Sequence, residues 1–211
     1  YQLHWPDLET PVEETARTFD DLRREGKIRA IGVSNFSPQQ MDAFRAVTRI
    51  DTVQPPYNLF EREIEGDVLP YAEAAGITVL SYGALCRGLL SGKVTEERVF
   101  EGDDLRRYDP KFKPERRPRY LAAVAGLQRF AQARYGKSVL ELALRWVLDQ
   151  GPTIALWGAR RPAQLDPVGG VEGWRLDAAA KAEIDAILAA SVAEPLAPVF
   201  MAPPDKRPAG A

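Results

Sequence analysis

The stretch EGKIRAIGVSNF, residues 25–36, decides the fold class of this chain. Before it, residues 12–22 carry apolar side chains at helical spacing, and Gly26 stands where that helix would end. Residues 28–33 are mostly apolar and fit a short, buried strand. A helix, a glycine and a buried strand in this order indicate a βα unit.

The same order returns further along the chain. A helix predicted over residues 64–75 stops at Gly76, and the strand ITVLSY, residues 77–82, follows it. The other predicted elements alternate in the same way: strand end 1–3, helix 38–47, strand 51–54, helices 120–135 and 138–150, strand 153–157, a helix opening at 158, and a last helix over 177–190. Such alternation is typical of a parallel sheet, so the sequence predicts an α/β fold.

Composition limits the function classes. The chain has 211 residues, of which 45% are hydrophobic and 27% are charged, with a formal net charge of −2. This balance does not favour nucleic-acid or membrane binding, and the chain has no apolar run long enough to span a bilayer. One cysteine cannot form a disulfide within the chain and favours a reducing compartment, so we expect a cytoplasmic location. One histidine and one cysteine cannot build a structural zinc site.

Polar side chains stand at the ends of the predicted strands. His4, the only histidine, follows the first strand, Ser34 and Asn35 follow the second, Gln54 ends the third and Tyr82 ends the fourth. Taken singly, they have plainer explanations: a histidine satisfied in a loop, turn formers, a loop cap and ring packing. Together they favour a functional site, because (β/α)8 barrels carry their active sites at the carboxyl ends of their strands.

These residue types suit a nicotinamide ring, the ring that the family resemblance given below implies. Tyr82 offers a flat apolar face for one side of the ring. Ser34, Asn35 and Gln54 supply donors and acceptors for a carboxamide. Hydride transfer needs the ring held close to the carbonyl, and a histidine such as His4 would stabilise the charge that grows on the carbonyl oxygen.

The segments after the fourth and fifth predicted strands suit phosphate groups. GALCRGLLSGK, residues 83–93, brings small residues, backbone N–H groups and Lys93 to a diphosphate, and its spacing does not fit a Walker-type loop. GARRPAQL, residues 158–165, places Arg160 at a predicted helix start, where it suits the 2′-phosphate that separates NADPH from NADH. The alternative for Arg160 is a solvated helix start.

At these residues the chain resembles the aldo-keto reductases, and the resemblance runs nearly end to end. Five phrases carry it: LHWPD, EGKIRAIGVSNF, VQPPYNLFER, LSYGALCRGLLSGK and GARRPAQL. The pattern is most similar to the branch that includes bacterial reductases related to the potassium-channel β subunits. The resemblance implies a (β/α)8 TIM barrel that binds NADPH across its mouth. It also implies a tyrosine, lysine, aspartate and histidine that reduce an aldehyde or ketone to an alcohol.

The resemblance implies roles for individual positions. His4 matches the catalytic histidine. The positions implied in binding NADP(H) are Ser34, Asn35, Gln54, Tyr82, Gly83, Ala84, Leu85, Gly88, Lys93, Gly158, Arg160 and Gln164. Pro167 and Val168 stand where the family has an acidic residue and an asparagine, so the adenine contacts are not assigned.

The same resemblance predicts that the chain begins at the fourth barrel strand. Residues 1–194 would be the C-terminal part of the barrel, with strands 4–8, and the Pro- and Ala-rich residues 195–211 a poorly ordered tail. The catalytic tyrosine, lysine and aspartate would lie upstream, so we expect the chain alone to lack turnover on its small-molecule carbonyl substrate. The alternative function is a non-catalytic NADP(H)-binding or partner-binding module resembling a channel β subunit, or an inactive truncated fragment.

Overall fold

The computed structural model of the chain describes residues 1–198 and 201–202. Five strands form one sheet: β1 Gln2–Leu3, β2 Gly32–Ser34, β3 Thr52–Gln54, β4 Thr78–Ser81 and β5 Thr153–Ala155. Neighbouring strands pair in parallel and in chain order. The predicted α/β class with a parallel sheet is therefore confirmed, whereas the assignment of these strands as numbers 4–8 of a barrel stays a prediction.

The described residues form six α-helices: α1 Val12–Arg24, α2 Pro38–Arg45, α3 Val68–Ala75, α4 Arg117–Tyr135, α5 Val139–Leu148 and α6 Ala178–Ser191. Ser37 and Ser138 begin α2 and α5 with capping boxes. Gly76 and Gly136 end α3 and α4 in the left-handed conformation that glycine adopts without strain. Within the described ranges, no helix has the length and apolarity needed to cross a membrane.

One face of the sheet belongs to the hydrophobic core. Val33, Val53 and Val79 are register neighbours on β2, β3 and β4, and all three are fully buried. They belong to the same core cluster as Phe44 of α2 and Trp146 of α5. The helices therefore hold the strands in place through this apolar face.

The opposite face carries a polar bridge. Gln2 Nε2 on β1 donates to Thr52 Oγ1 on β3 at 3.1 Å, and Gln54 Nε2 donates to Gln2 Oε1 at 2.7 Å. The Gln2 side chain passes over β2 at Gly32, where a Cβ atom would lie 2.4 Å from Thr52 Oγ1 and 2.6 Å from Gln2 Cγ. The absence of a side chain at Gly32 lets the first and third strands contact each other directly.

One expectation is wrong in the structure, and another lies largely outside the described residues. The helix predicted to open at residue 158 is replaced by two 3-10 helices, Pro162–Gln164 and Asp166–Gly170, because prolines and paired glycines break the helical pattern. Further 3-10 helices span Glu63–Gly66, Cys86–Ser91, Leu105–Arg107 and Pro110–Phe112. Of the tail predicted over 195–211, residues 199–200 and 203–211 lie outside the described residues.

Candidate functional site

Asn35 links the carboxyl ends of the first four strands. Its backbone has φ 61°, in the left-handed region, and its N–H donates to the Gln54 carbonyl at 3.2 Å. Its Nδ2 donates to the His4 carbonyl and to Ser34 Oγ, both at 3.0 Å, and the Tyr82 hydroxyl donates to its Oδ1 at 3.0 Å. The structure thus brings together these five predicted residues, which we call the strand-end cluster.

The side chains of this cluster differ in burial and in hydrogen bonding. Ser34 is buried, and its hydroxyl donates to the Gln54 carbonyl at 2.6 Å. The Gln54 side chain points across the sheet to Gln2, as described above. The His4 side chain is exposed, and only its carbonyl takes part in the cluster. Its imidazole is therefore open to a ligand at the mouth of the sheet.

The two tyrosines near the strand ends keep their protons. Burial, reinforced by the Glu61 carboxylate, raises the pKa of Tyr82 to about 12. Burial first, and the hydrogen bond to Glu65 second, also raise the pKa of Tyr57 far above its usual range. The Tyr57 hydroxyl donates to Glu65 at 2.7 Å and the Tyr82 hydroxyl donates to Asn35. Both hydroxyls are engaged, so neither is assigned as a proton donor for substrate.

Residues 83–93, the diphosphate segment of the sequence prediction, are anchored between strands. The Tyr82 N–H donates to the Pro55 carbonyl at 3.0 Å, and the Ala84 N–H donates to the Leu156 carbonyl at 3.4 Å. Ala84 is fully buried, and Leu85 is nearly so. Gly83 and Gly88 have φ of 67° and 90°, where a side chain would be strained, and Lys93 is exposed.

The segment after β5 lies at the surface. Gly158, Arg160 and Gln164 are all exposed. Gln164 Oε1 accepts hydrogen bonds from the backbone N–H groups of Arg160 at 2.6 Å and Arg161 at 2.9 Å. Gln164 thus holds the turn that presents Arg160, which is a different use from the NADP(H) contact implied by the resemblance.

Asp104 connects the two phosphate segments. Arg106 donates to its carboxylate through Nε at 2.8 Å and Nη2 at 2.5 Å. Arg106 Nη1 also lies 3.9 Å from the point where a Cβ of Gly88 would stand. The Arg106 hydrogen bond, helped by the charge of Arg160, lowers the pKa of Asp104 to about 2. Arg106 therefore pairs with Asp104 beside Gly88, and the charge of Arg160 acts on the same carboxylate.

These residues fit a dinucleotide of the nicotinamide type. The Tyr82 ring offers an aromatic face. Nothing lies within 4 Å of the Cβ positions of Gly83 and Gly158, so a bound dinucleotide can come close to the protein backbone there. Lys93 and Arg160 add exposed positive charge. Trp157 Nε1, just after β5, is buried without a hydrogen-bond partner among the described residues. Those residues also contain no group of three His, Cys, Asp or Glu side chains that could hold a metal.

The sequence did not reveal every member of the site. Gln2 and Thr52 are ordinary strand residues in the sequence, and only the register of the sheet joins them to Gln54. Asp104 stands in a segment without periodicity. Arg87 could have been noticed from the sequence, because it is a charged residue inside the small and apolar run GALCRGLL.

Comparison with known proteins gives one family. The model of the Aldo/keto reductase family matches residues 1–189. The chain is 58% identical over 207 residues to aldo-keto reductase YhdN of Bacillus subtilis (strain 168), which is 98% of this chain and 62% of that protein. The chain therefore spans about three fifths of the length of this curated relative.

Solved structures agree. The glycerol dehydrogenase AKR11B4 from Gluconobacter oxydans superposes with a TM-score of 0.87 at 56% identity, over 95% of this chain and 61% of that one. An aldo-keto reductase from Klebsiella pneumoniae, solved in complex with NADPH, superposes with a TM-score of 0.66 at 26% identity, over 89% of this chain and 57% of that one. The predicted similarity to the channel β-subunit branch stays a prediction.

Proposed function

The chain belongs to the aldo/keto reductase family, and from this premise we propose that its protein reduces an aldehyde or ketone to an alcohol with NADPH. The observation that supports this most directly is the strand-end cluster around Asn35, which adjoins the 83–93 segment through Tyr82. The relatives reported above are named as reductases or a dehydrogenase, which favours turnover over a non-catalytic binding module.

The proposal gives each part of the cluster a task. NADPH, when bound, supplies a hydride to the carbonyl carbon. Tyr82 packs its ring against the nicotinamide, and the hydrogen bond to Asn35 fixes the orientation of that ring. Ser34, Asn35 and Gln54 are the candidates for fixing the carboxamide, because they are the polar groups at the same strand ends.

His4 faces the reacting oxygen in this proposal. Its exposed imidazole can donate a hydrogen bond to the carbonyl oxygen as negative charge develops there. The proton that completes the alcohol has no assigned donor among the described residues, because Tyr57 and Tyr82 are engaged elsewhere. The tyrosine, lysine and aspartate of the family's catalytic set stay predicted outside this chain.

The preference for NADPH rests on charge. Arg160 and Lys93 are exposed cations beside the two phosphate segments, and a guanidinium suits a phosphate monoester. The Klebsiella pneumoniae relative was solved with NADPH bound, which supports the same cofactor here. The remaining cofactor positions of the proposal are Gly83, Ala84, Leu85, Gly88, Gly158 and Gln164.

Removal of the Tyr82 ring tests the proposal. We expect Tyr82→Ala to weaken NADPH binding roughly tenfold, since a stacked aromatic pair contributes about 0.5–1.5 kcal/mol beyond its buried area. Tyr82→Phe keeps the ring and should stay within about threefold of the unchanged chain. Binding is measured by titration of the chain with NADPH, followed by nicotinamide fluorescence.

Tyr71→Ala is the matched control. Tyr71 lies on α3, and its hydroxyl donates to Asp42 at 2.6 Å, on the surface and away from the strand ends. Its removal should leave NADPH binding unchanged. Equal losses for Tyr71→Ala and Tyr82→Ala, or no binding of NADPH by the unchanged chain, would contradict the proposed cofactor site. In the whole protein, failure to oxidise NADPH with any of a panel of aldehydes and ketones would contradict the proposed activity.

A further inference from the structure

Four charged side chains form a buried cluster beneath the 83–93 segment. Glu61, Asp109 and Lys111 are fully buried, and the side chain of Arg87 is 10% exposed. Arg87 pairs with Glu61 through Nη2, and its Nε donates to Asp109 Oδ2 at 2.6 Å. Lys111 Nζ donates to Glu61 Oε1 at 2.8 Å. Two carboxylates and two cations balance, and we call these four residues the ion cluster.

The ion cluster joins three irregular segments. Glu61 follows β3, Arg87 belongs to the 83–93 segment, and Asp109 and Lys111 belong to the stretch before α4. Asn58 strengthens the link, since its Nδ2 donates to Glu61 Oε2 at 2.7 Å and to the Gly83 carbonyl at 3.0 Å. These segments contain only short 3-10 helices, so the side-chain contacts of the ion cluster add to the backbone hydrogen bonds that fix their relative positions.

The backbone at Arg87 is strained. Cys86 has φ 45° and Arg87 has φ 54°, and both lie in the left-handed region that residues with a Cβ rarely adopt. Gly88 follows with φ 90°. Such a conformation persists only where surrounding contacts hold it. Arg87 supplies those contacts, because its guanidinium is clamped between two buried carboxylates.

The charges of the cluster support one another. Burial by itself raises the pKa of Glu61, but Arg87 and Lys111 outweigh burial and hold that pKa below its usual value. Removal of one member therefore leaves a buried charge uncompensated.

We propose that Arg87 is a positioning residue that holds the 83–93 segment in the conformation that receives the cofactor's diphosphate, acting through the ion cluster. The inference rests on the proposed function. It assigns Arg87 an effect on the diphosphate, which NADPH and NADH share, and none on the 2′-phosphate. Loss of Arg87 should therefore weaken the binding of both cofactors by the same factor.

The test compares Arg87→Met with Arg145→Met. Arg145 also forms a well-buried ion pair, with Asp149 at 2.8 Å, but at the C-terminal end of α5, where it also donates to the Val171 carbonyl. The opposite end of α5, at Val139, is the end that lies beside Gly92 of the 83–93 segment. We expect Arg87→Met to raise the dissociation constants of NADPH and NADH alike by about tenfold or more, because preorganisation is lost. Arg145→Met should leave both constants unchanged, although it lowers the thermal midpoint. Titrations run well below the midpoints, with thermal unfolding measured in parallel.

Arg87→Lys guards against a misfolded variant. Lysine keeps the charge but cannot contact both carboxylates in the same way. We therefore expect Arg87→Lys to raise the dissociation constants of both cofactors by about threefold. If Arg87→Met does not fold, Arg87→Lys decides the question, and unchanged constants would overturn the proposal. The proposal would also be overturned if Arg87→Met lost no more cofactor affinity than Arg145→Met, or if it lost affinity for NADPH alone. Failure of the unchanged chain to bind either cofactor would instead defeat the proposed function, and this inference with it.

Discussion

Residues 83–93 and residues 158–170 follow neighbouring strands, yet only the first segment is tied to the core. Leu89 and Leu90 of the first segment are fully buried, and the ion cluster lies beneath it. In the second segment, neither 3-10 helix contains a buried residue, and Gln164 holds the turn through two backbone contacts.

The difference suggests two ways of receiving one ligand. A segment with a fixed backbone loses little freedom when a diphosphate binds, so its contribution to affinity comes from preorganisation. A surface turn has exposed cationic side chains, and its contribution depends on charge. The first segment should therefore govern affinity for any nicotinamide dinucleotide, and the second should govern the choice between NADPH and NADH.

The largest expected effect concerns stability. Leu90→Ala should lower the free energy of unfolding by about 2–5 kcal/mol, because it opens a cavity in the core. Leu165, at 49% exposed, is the matched leucine of the second segment. Leu165→Ala should change the free energy by less than about 0.5 kcal/mol. Urea titration followed by tryptophan fluorescence measures both, and similar losses would remove the proposed distinction between the segments.

A smaller effect concerns selectivity. Arg160→Ala should weaken NADPH binding about 10- to 100-fold, since a hydrogen bond to a charged group contributes about 1.5–3 kcal/mol. NADH lacks the 2′-phosphate, so its affinity should change by less than about threefold. Arg29→Ala, an exposed arginine before β2 at the opposite end of the sheet, is the control. Equal losses for NADPH and NADH in fluorescence titrations would show that Arg160 does not contact the 2′-phosphate.

The smallest effect is a pH dependence at the junction of the two segments. Arg106 and Arg160 lower the pKa of Asp104 in the folded chain to about 2, from a usual value of 3.8. The unfolded state thus binds the proton more readily. The stabilisation is complete above about pH 4 and is lost as the pH falls towards about 2. Asp104→Asn should flatten this part of the stability curve in acid titrations, and an unaltered curve would show that the Asp104 contacts do not persist in solution.

The sequence predicted the fold better than the details of the site. Gly26 and Gly76, each placed between a helical pattern and an apolar run, located two βα units correctly. This succeeded because glycine termination and hydrophobic periodicity are local properties. The helix predicted from residue 158 was wrong, because Pro162 and Pro167 each stand at the start of a short 3-10 helix and do not fit the interior of one continuous α-helix.

The same contrast between local and long-range properties holds for the site. The strand-end positions of His4, Asn35 and Tyr82 could be predicted, since parallel strands bring their carboxyl ends to one edge. The hydrogen bonds between them could not, because they depend on register and on the left-handed backbone of Asn35. The ion cluster joins residues 50 positions apart, Glu61 and Lys111, and no local pattern pairs them.

Gly32 also constrains how this chain can change over generations. A methyl group there would collide with Thr52 and Gln2, so Gly32 cannot change before those two positions have changed. An alanine at 32 becomes tolerable only after Thr52 and Gln2 have been shortened, and those replacements give up the amide bridge to Gln54. Effects at these sites are therefore non-additive, as expected for side chains in contact. Mutational libraries that sample them singly would miss the combinations that fold, and the order in which substitutions accumulate decides which sequences are reachable.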